Sequence, residues 1–507
     1  MAPRPSLRVA AAAICVVLFV ACPATGHAAL AGPGAPSVGD EYFPADGNTG
    51  YTVSHYDIRL RYQPATDELT GTTTIVAAPT QDLTTFTVDF ALKTTSVRVN
   101  GVPASFQLNG KKLEVTPTQP LASGSLLTTV VDYQDVPSRV LVDGEVAWKR
   151  TPDGALAVGE PHICVWWFPC NDHPQSKATY DISVAVPDGT DVLSNGVLTG
   201  KSSQRGWTRS YWHSVKPQAT YLAFLAIGHY EIIVRTGFGG APFVTAYGKD
   251  IGADLGAAMA SIERTPEVID FESGLFGPYP FEAQGGVVPS TGLGFALETQ
   301  TRPIYSSKFF AHGANMYVVV HENAHEWFGD AVSVHKWRDI WLNEGFASYA
   351  EWLWSEAKGE GTAQELFDVE YAQHPADDPA WQVQPGDPGV TTLFDSFGVY
   401  TRGAMTLHAL RTTVGDDIFK KILQHWVSAK LYATATIEQF IDLAIRISGK
   451  DLQPLFTAWL FTGAKPAVSA STGVAVSAAH DADEAPAPPS LEKIHDVRNA
   501  VHAVTGR

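Results

Sequence analysis

The run His321-Glu322-Asn323-Ala324-His325, with eighteen residues between His325 and the glutamate of Trp341-Leu342-Asn343-Glu344-Gly345, leaves this part of the chain few ways to fold. Residues four apart on a helix share a face, so both imidazoles can reach one ion. Glu322 projects about 100° further round the axis. It therefore lies beside the ion rather than on it, where a carboxylate can take a proton from a water. Glu344, from a second helix, makes a third protein ligand and leaves a fourth tetrahedral position open, as in a catalytic zinc site rather than a closed structural one.

The flanks agree. Met316 to Val320 is apolar, and Trp327 and Phe328 follow the motif, which reads as a buried helix. Burying two imidazoles and two carboxylates without a cation would be costly, which argues against a core helix that merely satisfies its histidines. The motif alone does not choose zinc over cobalt or manganese, because geometry and availability decide loading.

HENAHEWFGD followed by WLNEGFASYAE resembles the aminopeptidase N family of gluzincin zinc metallopeptidases, which also includes leukotriene hydrolase. The likeness extends from Tyr51 to Val468. It implies that His321, His325 and Glu344 bind one zinc ion and that Glu322 is the general base. It also implies an α+β multidomain fold: an N-terminal β-rich domain of saddle or sandwich type, then a thermolysin-like, mainly helical catalytic domain.

Two further segments carry the resemblance. Val399-Tyr400-Thr401-Arg402-Gly403-Ala404 is similar to the family's Tyr-x-Lys-Gly-Ala stretch, whose tyrosine faces the oxyanion, so Tyr400 is expected to stabilise negative charge on the scissile carbonyl oxygen. Phe295-Ala296-Leu297-Glu298-Thr299 stands where the family has Gly-Ala-Met-Glu-Asn; Glu298 matches the glutamate that binds a free α-amino group, with Ala296 and Leu297 as substrate-binding neighbours. Glycine, methionine and asparagine are all replaced, which reshapes the first side-chain pocket. Glu160, ten residues before the cysteine of Pro169-Cys170-Asn171-Asp172, falls at the position of a second amine-binding carboxylate. The expected substrates are peptides with a free N-terminus. A zinc endopeptidase, an epoxide hydrolase and a non-catalytic extracellular binding protein are the alternatives.

At 45% hydrophobic residues, 507 residues suffice for several cores. A formal net charge of −18 argues against nucleic acid and anionic membrane as partners. Residues 1–28 read as an export signal: Arg4 and Arg8, an uncharged apolar core from Val9 to Ala21, and a small-x-small site at Gly26-His27-Ala28. That core is too short for a stable membrane span, which needs about 20 residues. A secreted monomer is expected, with lipid anchoring at Cys22 as the alternative. Cys164 and Cys170 then remain, either bridged or as two buried thiols.

Residues 29–50 read as a linker. From Tyr51 the pattern alternates (Tyr56, Ile58, Leu60, Tyr62), and Asn109-Gly110 between alternating apolar residues marks a hairpin. This texture defines a β-sheet domain over 51–235. A helical pattern follows over 236–468, the catalytic domain. Many family members continue with a large helical domain, whereas residues 469–507 read as a disordered, Ala/Asp/Pro-rich tail with a short helix capped by Ser490 that frays without a function; a more open cleft is expected. Glu326, Asp330 and Glu351 are candidates to orient the ligand histidines from behind. His312, His335, His408 and His425 read as ordinary histidines.

Overall fold

The structure, a computed structural model, describes residues 31–290, 293–474 and 487–505. The export signal with Cys22, and residues 475–486 of the tail, lie outside the described residues. Among the described residues no helix is long and apolar enough to cross a membrane.

Alternation in the first half becomes sheet. Tyr51–Gln63 turns Tyr56, Ile58, Leu60 and Tyr62 into the interior, none of them measurably exposed. It lies centrally in an eight-stranded sheet, antiparallel to Glu68–Pro79 on one side and parallel to Lys177–Pro187 on the other. The hairpin forms between Ser105–Asn109 and Lys112–Thr116, turning at Gly110, whose φ of 58° suits glycine. A smaller sheet carries Trp148–Arg150, Ala155–Ala157, Leu225–Gly228 and Asp191–Leu193. The chain leaves Ala155–Ala157 directly towards Glu160.

The second half is mainly helical, giving the β-rich-then-helical α+β architecture. Four helices matter for the site: α1 (Met316–Ala324), α2 (Trp341–Lys358), α3 (Arg402–Val414) and α4 (Leu491–Thr505). Helix α1 carries three consecutive valines of modest helix propensity. Burial of every residue from Met316 to Ala324 compensates, and the Asn315 side chain caps the start by accepting from Tyr317 N at 2.9 Å. Glycine lets α2 and α3 touch: Gly345 and Gly403 face each other so closely that a Cβ on Gly403 would lie 2.8 Å from the Gly345 Cα. This contact fixes the Tyr400 segment against the start of α2.

Three sequence boundaries need correction. Residues 31–50 are folded, not a linker: the buried Asp40 carboxylate accepts from Trp337 N (3.0 Å) and His173 Nε2 (3.1 Å), and Asn48 N donates to Asn171 Oδ1 at 2.6 Å. Gly/Pro/Ala content there reflects an irregular path over a surface rather than a spacer. The sheet texture also does not stop at 235. Tyr230–Thr236 pairs along its length with Pro242–Gly248, which runs parallel to Gln284–Val288, so this sheet straddles the expected boundary. Finally, α4 does not fray: Leu491, Ile494 and Val497 are buried in the helical core. Ser490 is itself buried, accepting from Ser355 Oγ at 2.8 Å.

Candidate active site

Helix α1 delivers His321, and His325 follows its last turn with helical backbone (φ −60°, ψ −25°), so the two rings sit 4.8 Å apart. Glu344 occupies the first turn of α2, where the helix dipole favours a carboxylate. Its Oε2 lies 3.2 Å from His321 Nε2 and 3.4 Å from His325 Nε2. Ligand atoms about 2.0–2.2 Å from a tetrahedral zinc stand about 3.3 Å apart, so this donor set fits the ion.

Outer contacts fix the tautomers. His325 Nδ1 donates to Phe328 O at 3.0 Å, and His321 Nδ1 donates to Glu351 Oε1 at 2.6 Å, leaving each Nε2 lone pair turned inward. Glu351 lies seven residues after Glu344, two turns along the same face of α2, so one helix holds His321 from both ring nitrogens. Of the three residues considered for this task, Glu326 instead accepts from Thr301 N at 3.1 Å, and no side-chain contact from Asp330 to either ring occurs among the described residues. His408 meets Tyr349, His335 meets Thr434, His312 faces Asp496 and His425 bonds its own helix at Lys421 O.

Tyr400 is the penultimate residue of a π-helical turn, Ser396–Thr401, that runs into α3. Its ring stacks on His321 with centroids 5.8 Å apart and planes 13° from parallel. Arg402, in place of the family's lysine, is fully buried and anchors this turn by donating to Trp381 O (2.7 Å) and Val383 O (3.0 Å). Glu298 is buried and accepts from Tyr221 O–H at 3.3 Å, a contact between distant segments that no local sequence signal announces. Leu297 exchanges two 2.9 Å backbone hydrogen bonds with Ile304, presenting Ala296 and Leu297 as an extended edge. Glu160, followed by a cis bond to Pro161, has a buried Oε1 without a hydrogen-bond partner among the described residues. Glu160, Ala296, Leu297 and Tyr400 line one cavity of about 210 Å³, with Lys149, Phe295 and Phe394 among its walls. Nearby, Cys164 and Cys170 are joined as a disulfide, resolving the two readings of that pair.

The electrostatics are lopsided. Burial raises Glu160 well above the usual carboxylate range, helped by the charges of Glu298, Glu344 and Glu322; burial also raises Glu298, and Glu322 to about 8. For His325, burial opposes charge, yet Glu344 and Glu298 lift it to about 10; burial opposes the Glu344 charge too, but His325 and His321 bring that carboxyl down to about 2. With protein groups alone, protonated His325 and His321 hold Glu344 ionised, while burial favours the neutral forms of Glu160, Glu298 and Glu322. A divalent cation would replace those protons, and both histidines would then bind as neutral ligands.

Residues 297–459 match the peptidase family M1 domain, and residues 156–222 match the peptidase M1 N-terminal domain. The chain carries the catalytic and N-terminal domains of the peptidase M1 family. Among solved structures this M1 chain resembles an M1 zinc metallopeptidase of Deinococcus radiodurans, at 27% identity and a TM-score of 0.76 over 85% of this chain and 100% of that one. A form of that neighbour bound to a Tyr-Ser-Ala substrate matches 89% of this chain and 100% of its own, with a TM-score of 0.75. Related sequences include glutamyl aminopeptidase of Rattus norvegicus, 27% identical over 462 residues, 82% of this chain and 48% of that protein. Aminopeptidase M1-B of Oryza sativa is 25% identical over 80% of this chain and 49% of its own length. The chain thus spans about half the length of these relatives.

Proposed function

We propose that this M1 family member is a secreted zinc aminopeptidase that removes N-terminal residues from peptides. The observation that carries the exopeptidase reading is the pair Glu160 and Glu298, two buried carboxyl groups close enough for Glu298 to raise Glu160, neither ion-paired with a lysine or arginine among the described residues, with Glu160 lining the cavity beside the His321, His325 and Glu344 cluster. A protonated α-amine is the cation such a pair calls for. An acetylated N-terminus would bring no charge and leave both carboxylates uncompensated.

When bound by His321, His325 and Glu344, zinc supplies Lewis acidity, polarising a carbonyl and bringing the pKa of water towards about 7. Glu322 takes the proton from the attacking water and later gives it to the departing amine. Tyr400, its phenol kept protonated by burial and by the surrounding glutamates, donates a hydrogen bond to the carbonyl oxygen as negative charge builds there. Glu160 and Glu298 hold the ammonium, which sets the first peptide bond, and no later one, against the reacting groups. The aminopeptidase names carried by the relatives support this assignment. The basic start, apolar core and small-x-small site of residues 1–28 support export, and the monomer is the working state we assign.

Hydrolysis of matched free and N-acetylated aminoacyl fluorogenic substrates, with and without a zinc chelator, tests the whole reading. Chelator-sensitive turnover of the free-amine members alone is expected. Equal cleavage of blocked peptides would make the enzyme an endopeptidase instead.

A further inference from the structure

Helix α4 reaches the back of the metal cluster. Arg498 is buried, 6% exposed, and its Nη2 donates to Glu351 Oε1 at 2.8 Å. The same Oε1 accepts from His321 Nδ1 at 2.6 Å. The Arg498 guanidinium carbon also lies 5.4 Å from the centre of the Tyr400 ring. One side chain therefore touches both the group behind a candidate zinc ligand and the tyrosine assigned to the oxyanion.

The helix is tied down at several points besides its apolar face. Asn315, the cap of α1, donates through Nδ2 to Lys493 O at 3.2 Å, while Ser490 N donates to Glu360 O at 3.1 Å. His495 Nε2 meets Glu370 Oε1 at 2.8 Å. These contacts hold α4 to the start of α1 and to the segment after α2, and so set where Arg498 enters.

We propose that Arg498 is a positioning residue of the metal site, and that α4 is thereby part of the catalytic apparatus. A guanidinium only donates, so Glu351 accepts from Arg498 on one side and from His321 on the other. That double acceptance holds the carboxylate in place, keeps the proton of His321 on Nδ1 and leaves Nε2 free towards Glu344. Without Arg498, Glu351 would be a buried carboxylate joined to the imidazole alone, free to rotate, and Tyr400 would lose the cation against its ring. Arg498 also retains two buried donors, Nε and Nη1, without a partner among the described residues.

This inference rests on the zinc reading of the site, and the experiment separates the two. Zinc content of the full mature chain is measured first; a wild type that binds no zinc overturns the zinc reading and, with it, this proposal. Zinc Kd is then measured by competition with a chromogenic chelator for wild type, Arg498→Met and Arg498→Lys, together with the visible spectrum of each cobalt(II)-substituted protein and the KM-against-kcat split. Arg498→Met should weaken zinc binding by about 10–100-fold, alter the cobalt spectrum and lower kcat more than it changes KM. Arg498→Lys should recover most of the affinity. A folded Arg498→Met with wild-type zinc Kd and cobalt spectrum would overturn the proposal. Should Arg498→Met fail to fold, Arg498→Gln, which keeps an uncharged donor, decides instead: weakened zinc binding supports the proposal and wild-type affinity refutes it.

Discussion

Two clusters of buried acids, one within the β-rich half and one where the two halves meet at the metal site, are completed differently. In the β-rich half, Asp89 receives Lys112 Nζ, Asn48 Nδ2 (2.8 Å) and Asp172 N (2.8 Å), while Asp46 receives Lys111 Nζ at 2.8 Å. Asp40 gathers His173, Trp337 N, Tyr42 N and Phe43 N. In the cluster beside the metal site, Glu298 has one tyrosine hydroxyl, and Glu160 Oε1 has no hydrogen-bond partner among the described residues. Both clusters are deeply buried, so burial alone does not tell structure from function. What separates them is whether the chain supplies its own cations. Where it does, the cluster staples the fold; where it does not, a metal ion and, on the function proposed above, the substrate amine would be the missing charges.

The largest expected effect tests the incomplete cluster. Glu322→Gln keeps the shape and removes the proton acceptor, so zinc content should stay at the wild-type level while kcat falls by as much as about 10⁴-fold. Metal analysis alongside steady-state kinetics checks both halves of that statement. Near-normal turnover would remove Glu322 from the mechanism and make its buried charge as structural as that of Asp89.

The complete cluster should answer in stability instead. Lys112→Met strips Asp89 of its cation while leaving the carboxylate 1% exposed. Removing one partner of a buried ion pair costs about 3–5 kcal/mol, which urea denaturation would register as a lower midpoint. The surviving folded enzyme should retain the wild-type zinc stoichiometry and kcat, because no contact of Lys112 reaches the metal cluster among the described residues. A selective loss of kcat without a loss of stability would collapse the distinction between the two regions.

How legible each region was follows from the range of its contacts. The zinc cluster could be read because His321 and His325 share one helical turn and Glu344 starts the next long helix, with the apolar context supplying burial. Alternation over Tyr56 to Tyr62 likewise announced a strand whose two faces differ. Glu351 was one candidate of three, although its spacing of seven from Glu344 is the helical signature of a shared face. Arg498 was missed altogether. Its only local trace is a cation set against the apolar stripe of Leu491, Ile494 and Val497, a pattern that reads equally well as a solvated helix face. Residues 31–50 were misread because the bonds of Asp40 and Asn48 run to His173, Trp337 and Asn171, far along the chain, and no local period encodes them.

Acid separates the clusters more gently. Burial pushes the Asp40 carboxyl up, but hydrogen bonds from His173, Trp337 N, Tyr42 N and Phe43 N outweigh it and hold Asp40 well below the usual carboxylate range. A carboxylate depressed in the folded state stabilises the fold above its unfolded pKa of about 3.9 and loses that contribution as pH falls through the folded value. Asp40→Asn should therefore lower stability near pH 7 by about 1–3 kcal/mol, with the gap to wild type closing as pH drops below about 4. The incomplete cluster should fail at a higher pH, because histidine ligands must shed protons to hold a metal. Denaturation and activity followed together down the pH scale should then show two steps: an activity loss that added zinc moves to lower pH, and an unfolding step that Asp40→Asn alters. Coincident steps, both shifted by zinc, would mean that the ion also staples the fold and that the two clusters differ in partner rather than in purpose.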